Sequence, residues 1–476
     1  MSSGFLRVKG EQIVDGNGNT VTLRGSALGG WLNMENFLIG YPGMESGMRA
    51  AMLEVMGEEK YNFFYDRWLY HFFTEKDAKL FNELGLNSLR LPFNYRHLED
   101  DMNPRVLKEE GFKHLDRVID ICAKHGIYTI LDMHTVPGAQ NQDWHSDNPT
   151  NYAAFWDYKD HQDRTVWLWE QIAARYRGNP WVAGYNPMNE PADPSRRLLY
   201  PFYVRLEKAI RAIDPDHILW LDGNTYSMEW EGFESVLPNC VYSIHDYSMM
   251  GFPEGELYRG TLEQDEKLES QFLRKCSYNL ENKVPVWNGE FGPTYAPPDA
   301  PPDTNQCRYS LLRRQMQIYE RHRISWSMWT YKDIGLMAMV STSPDSPWNR
   351  LIRPFVEKKE RLYVDGCNVR TSPEADAVLD PMTKWIDEVS PTAKKTYPLN
   401  WATKRHLIRA VFHTFLAASL YNEYAELFRG KSFDELEELA ASFSLEQCIV
   451  REQAAQALKE VTSAAHAAQG VHYPAI

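Results

Sequence analysis

The amino-acid sequence predicts an α/β protein: a parallel (β/α)8 TIM barrel with long βα-loop insertions and a C-terminal helical extension. Three observations point there. Eight short apolar runs recur between Leu23 and Thr330, and amphipathic segments of helical period lie between them. The glycine-rich loops that often mark an open doubly wound sheet are missing, since Gly16-Asn17-Gly18 has no third glycine and sits in a turn. A single barrel with insertions takes up most of a chain of 476 residues.

Taken in order, residues 5–14, the Gly/Asn cluster 15–19 and residues 20–23 read as a β-hairpin. Strand-like runs follow at 23–28, 87–92, 128–133, 182–188, 218–222, 241–246, 284–290 and 324–330. Between them, 74–84 opens on a capping box of Thr74 and Asp77 and stops before Gly85. Residues 111–125, 164–176, 196–213 and 308–321 carry the 3.6-residue apolar period. Two segments exceed a minimal barrel and belong at its C-terminal face: 33–73, dense in aromatics, and 332–383, Pro-rich and loop-like. After Pro398 the pattern is wholly helical. Residues 401–428 end before Gly430, 432–443 start with a Ser432/Glu435 capping box, and 444–469 start with Ser444/Gln447. The organisation is thus a catalytic barrel over 1–397 and a helical extension over 398–476, whose first helix is the candidate for the barrel's last.

Composition narrows the partners. With 51 basic and 65 acidic side chains the formal net charge is −14, which disfavours nucleic acid or an anionic membrane surface. No apolar run reaches the 18–20 residues of a membrane span, and 411–420 carries His413. The first residues lack a basic-then-apolar leader, and six scattered cysteines show neither metal spacing nor a disulfide framework. Free thiols in the cytosol are expected. His-x-His, His-Glu-x-x-His and Gly-x-Ser-x-Gly are all absent, which argues against a metal-dependent or serine hydrolase, so no metal and no cofactor is expected.

The chemistry is carried by two motifs. Asn186-Pro187-Met188-Asn189-Glu190-Pro191 and Trp287-Asn288-Gly289-Glu290-Phe291-Gly292 each place a carboxylate at the end of an apolar, strand-like run. Two carboxylates delivered by different barrel strands are what a retaining glycosidase needs, one protonated to serve the leaving group and one ionised to attack the sugar. The expected separation is about 5 Å. Other chemistry-bearing residues sit at matching strand ends. Arg90 interrupts an apolar run, and a guanidinium there favours an ionised carboxylate beside it. His134 precedes the amide-rich turn Pro137-Gly138-Ala139-Gln140-Asn141. Asn189 is placed to donate to a sugar 2-hydroxyl, His245 and Tyr247 share one face of the sixth strand, and Trp329 is a candidate floor for the reacting sugar.

This ordered set (Arg90, His134, Asn189-Glu190-Pro191, His245-Asp246-Tyr247, Glu290 and Trp329) resembles glycoside hydrolase family five over residues 5–395. The resemblance implies that Glu190 is the acid/base and Glu290 the nucleophile. A finer likeness, through residues 24–35 and Asp132-Met133-His134, is to the fungal exo-β-1,3-glucanase branch, where the residue matching Glu35 binds hydroxyls of the terminal glucose. The chain departs from that branch in its aromatic insertion, its tail and its lack of an evident leader. The expectation is an exo-acting β-glucosidase working on a small glycoside, oligosaccharide or glycolipid. An endo-β-glucanase or mannanase using the same carboxylates is the alternative, and a silent carbohydrate-binding barrel would have lost one of them.

Overall fold

The computed structural model describes residues 4–364 and 372–469; Cys367 lies outside them. At the N-terminus β1 (Arg7–Lys9) and β2 (Gln12–Val14) pair antiparallel. They turn at Gly10, which takes the left-handed φ of 59° that glycine adopts without penalty. The 15–19 cluster, expected to make that hairpin, instead folds Thr20 back onto Val14.

Eight parallel strands close a barrel: β3 (Arg24–Ala27), β4 (Ser88–Asn94), β5 (Tyr128–Thr135), β6 (Val182–Asn186), β7 (Ile218–Asp222), β8 (Cys240–His245), β9 (Val286–Glu290) and β10 (Ser325–Met328). Every one of their residues is buried, the condition of strands covered by helices outside and packed side chains inside. Leu23, Ile130, Ile218, Trp220, Val241 and Trp287 fill the N-terminal end, closed below by Leu6 and Ile13 of the hairpin. The C-terminal end is thereby left for chemistry. The first barrel helix, Glu75–Glu83, starts where the capping box placed it, with the Thr74 backbone N–H donating to Asp77 Oδ2 at 2.7 Å.

The insertions differ from expectation. Residues 33–73 form helices Glu45–Met56 and Glu58–Phe72, separated by Gly57. Among their aromatics, Phe64, Trp68 and Phe72 pack on Trp348, Phe428 and Phe443, continuous with the buried core around the barrel. The 332–383 segment is not a loop. It holds β11 (Lys332–Asp333), β12 (Val340–Thr342) and helices Pro347–Leu362 and Pro373–Val389. Each of these helices has Ser at the cap and Pro in its first turn, where the missing N–H costs nothing. Their interior Pro354 and Pro381 are what made the segment read as loop. Lys332 anchors the arrangement, its buried Nζ donating to Phe72 O, Asp77 Oδ1 and Phe443 O, each at 2.8 Å.

The tail is also more broken than its periodicity suggests. Thr403–Leu407 continues as a π-helical stretch, Ile408–Leu416, and a separate helix spans Tyr421–Glu426. Residues 444–469 are not one helix either. The β-branched pair Ile449-Val450 joins β12 as β13 (Cys448–Val450) before Glu452–Gln469 begins. That last helix, rather than the first of the tail, occupies the eighth barrel position. It packs on Thr304–Arg321, and Thr462 Oγ1 donates to Leu84 O at 2.9 Å at the end of the first barrel helix. Among the described residues no helix is long and apolar enough to cross a membrane, and the five described cysteines are free thiols.

Trp348 is 1% exposed and meets Phe64, Trp68, Phe428 and Phe443 at once. Trp348→Ala is expected to cost about 3–5 kcal/mol, read as an earlier midpoint in guanidinium unfolding. An unchanged midpoint would mean that the insertion and tail melt independently of the barrel.

Candidate active site

The site is organised by Arg90, which is 1% exposed on β4. Its Nη1 donates to Glu290 Oε1 at 2.5 Å, and its Nη2 donates to Asn186 Oδ1 at 2.9 Å and Asn189 Oδ1 at 2.7 Å. Its Nε lies 3.1 Å from Asp132 Oδ2. Burial disfavours the charge, but Asp132, Glu290 and Asp222 outweigh it and hold the guanidinium protonated. A planar fork with several fixed donors suits this position; an ammonium would not reach all four partners.

Glu290 ends β9, and its second oxygen accepts from the Tyr247 hydroxyl at 2.9 Å. Glu190 stands just beyond β6 with φ at 47°, a left-handed conformation that costs a non-glycine residue about 1–3 kcal/mol. The surroundings impose it: its N–H donates to Asp222 Oδ2 at 2.9 Å, and Asn141 Nδ2 donates to its carbonyl at 2.9 Å. Its side chain lies between two imidazoles, 2.6 Å from His245 Nδ1 and 3.2 Å from His145 Nε2. Burial pushes the Glu190 carboxyl up, yet the two histidines prevail and hold it well below the usual range. Reciprocally, His145 is pushed up to about 9 against its burial. The two imidazole contacts thus favour the ionised form of Glu190.

Ligand atoms of Glu190, His245 and Glu290 all lie within 4.8 Å of one another. Among the described residues this is the one grouping with the spacing of a metal site. Its carboxylate oxygens meet Arg90, Tyr247, His245 and His145.

The remaining predicted residues converge on the same place. His134 Nδ1 lies 2.7 Å from Asp132 Oδ2, and burial holds the ring neutral. With its proton on Nδ1, its Nε2 accepts from Asn189 Nδ2 at 3.1 Å. Trp329, following β10, stacks parallel on the His134 ring at 5.1 Å. Glu35, after β3, is 3% exposed. Its Oε2 accepts from Trp144 Nε1 at 2.8 Å, while Oε1 has no hydrogen-bond partner among the described residues. Burial pushes its carboxyl up to about 8, against the pull of His145 and Trp144.

Sequence reading missed Asp132, Trp144, His145 and Asp222. Asp222 was legible, since it ends β7 as the other site residues end theirs, and Asp132 shares a strand face with His134. Trp144 and His145 lie on a loop after β5, where no periodicity marks them.

Residues 48–335 match the family model described as cellulase, glycosyl hydrolase family 5. The chain belongs to this family. It is similar to a β-xylosidase of Phanerodontia chrysosporium, 50% identical over 458 residues, which are 94% of this chain and 96% of that one. It also resembles a probable glucan 1,3-β-glucosidase A of Aspergillus clavatus, 29% identical over 238 residues, 48% of this chain and 56% of that one. Among solved structures, an endogalactoceramidase matches with a TM-score of 0.53 and 19% identity, over 74% of this chain and 77% of that one; that likeness bears on the fold alone. The protein is a family 5 glycoside hydrolase.

Glu35 gives this enzyme a pH-dependent stability term. Its folded pKa of about 8 lies above the ordinary 4.5, so the native state holds the proton more tightly and stability falls as pH rises between those values. Glu35→Gln is expected to flatten that fall, gaining on the order of 2–4 kcal/mol over the native enzyme at pH 8 and little at pH 5. Denaturant unfolding at both pH values checks this; parallel curves would contradict a buried, protonated Glu35.

Proposed function

We propose that this family 5 enzyme is a retaining exo-β-glycosidase that removes one terminal β-linked glucose or xylose unit from a small glycoside, oligosaccharide or glycolipid. The observation that carries the exo reading is Glu35. A buried carboxyl with one oxygen held by Trp144 and the other without a hydrogen-bond partner among the described residues is built to bond a sugar hydroxyl, and in its protonated form it can both donate and accept. A further sugar attached there would strand it unpaired, a penalty of about 1–3 kcal/mol. Xylose presents the same ring hydroxyls as glucose and lacks only the hydroxymethyl group. The name of the Phanerodontia chrysosporium relative favours the xyloside, and the finer sequence likeness favours the glucoside.

Glu290, held by Arg90 and Tyr247, attacks the anomeric carbon as the glycosidic C–O bond breaks. Glu190 delivers a proton to the departing oxygen, taken from the imidazole 2.6 Å away, so that a neutral alcohol leaves. Water then attacks the glycosyl ester, giving its proton back through Glu190 and freeing Glu290. The short spacing of the two carboxylates supports double displacement over inversion. Asn189 uses one amide hydrogen on His134 and keeps the other for the sugar 2-hydroxyl. The free thiols fit work in a reducing compartment, and the cytosol is the proposed location.

Glu290→Gln is expected to leave the fold intact and turnover below about 1% of native, measured with aryl β-glucoside and β-xyloside; survival of several per cent would reassign the nucleophile. Glu190→Ala should slow substrates with poor leaving groups far more than activated aryl glycosides, because only the former need the proton. Equal losses would remove its acid role. Digestion of a β-linked oligomer should release single sugars from the first minutes, and early mid-length products would instead indicate endo cleavage.

A further inference from the structure

Trp144 holds Glu35, and its own ring is held by the tail. The Arg409 guanidinium lies 3.8 Å from the Trp144 ring centroid, and His413 meets the ring edge-on at 5.8 Å. Arg409 Nε also pairs with Asp143 Oδ1 at 3.0 Å, both side chains buried. Its Nη1 donates to His413 Nδ1 at 3.0 Å. On a further side the guanidinium lies 5.4 Å from the Trp401 ring. Three consecutive residues thus divide the work. Asp143 is pinned by the tail, Trp144 donates to Glu35, and His145 contacts Glu190.

We infer that the tail segment Ile408–Leu416 belongs to the sugar site, and that Arg409 is a positioning residue that sets Glu35 through the plane of the Trp144 ring. The physical basis is direct. A hydrogen bond from Trp144 Nε1 points only where the ring plane points, and a desolvated guanidinium over an indole face fixes that plane. Phe37, at 5.9 Å, contributes only an edge contact. Arg409 is 5% exposed, and its contacts with Asp143 and Trp144 give it a route to the site through residues 143–145. The barrel alone therefore leaves the terminal-sugar contact unfinished, and a segment after Pro398 completes it.

The inference rests on the reading of Glu35 as the group that grips the terminal sugar, and a double-mutant cycle separates the two. The full-length enzyme is assayed on an aryl β-glucoside and an aryl β-xyloside as wild type, Arg409→Met, Glu35→Ala and the double variant. Each single change is expected to lower kcat/KM by about tenfold, with Arg409→Met acting mainly through KM. The double variant should lie within about twofold of Glu35→Ala, since no carboxylate then remains to position. A scaffolding role would multiply the losses to about a hundredfold and overturn the inference alone. No loss in Glu35→Ala would overturn the reading of Glu35 and the inference with it. If Arg409→Met is recovered unfolded, Arg409→Lys takes its place: it keeps the charge for Asp143 but not the planar face. Losses that fail to multiply with Glu35→Ala support the positioning role, and losses that multiply overturn it.

Discussion

At the open end of the barrel the guanidinium of Arg90 is bonded to Glu290, Asn186 and Asn189 and paired with Asp132. Those partners come from β5, β6, the turn beyond β6, and β9, so one side chain on β4 joins groups that the sequence scatters over two hundred positions. Because it is buried, each missing partner would leave a charge or an amide without compensation, and geometry is enforced by that penalty. The orientation of Asn189, the tautomer of His134 and the placement of Glu290 all follow from the same hub.

A crowd of carboxylates surrounds this single permanent cation. Glu35, Asp132, Glu190, Asp222 and Glu290 cannot all carry charge in a buried space without cost. The resolution is an uneven sharing of protons. Burial pushes Glu35 up to about 8 and Asp132 up to about 7, while His145 and His245 draw the proton away from Glu190. Burial thus favours the neutral form of two acids, while the neighbouring imidazoles favour the ionised form of a third. The site reaches this sharing with a left-handed backbone at Glu190.

The extra chain around the barrel packs on it in one part and reaches the loop beside Glu35 in another. The aromatic insertion and the tail share a buried cluster centred on Trp68 and Trp348, and Glu452–Gln469 stands where the eighth barrel helix belongs. Lys332 and Thr462 bond across the joints between these pieces and the barrel. Having been brought there to complete the fold, the tail is also close enough to reach Trp144. That proximity is how a segment far in sequence from Glu190 and Glu290 comes to touch the loop that carries Trp144.

The sequence by itself determined the barrel, because eight apolar runs separated by amphipathic helices bury their faces in few other ways, and strand ends put Arg90, Asn189, Glu190, His245, Tyr247 and Glu290 on one rim. Local rules located the Thr74 and Ser432 caps for the same reason: they depend on residues three apart. What only the tertiary structure decided are matters of long-range contact. Interior prolines disguised two helices in 332–383, and Ile449-Val450 became a strand only because β12 offered it an edge. Trp144 and Arg409 meet neighbours more than a hundred residues away, and His145 meets Glu190 from another loop, contacts that no local pattern marks. Their positions are set by the burial of charge and indole rings, which depends on the whole packed molecule and not on any window of sequence.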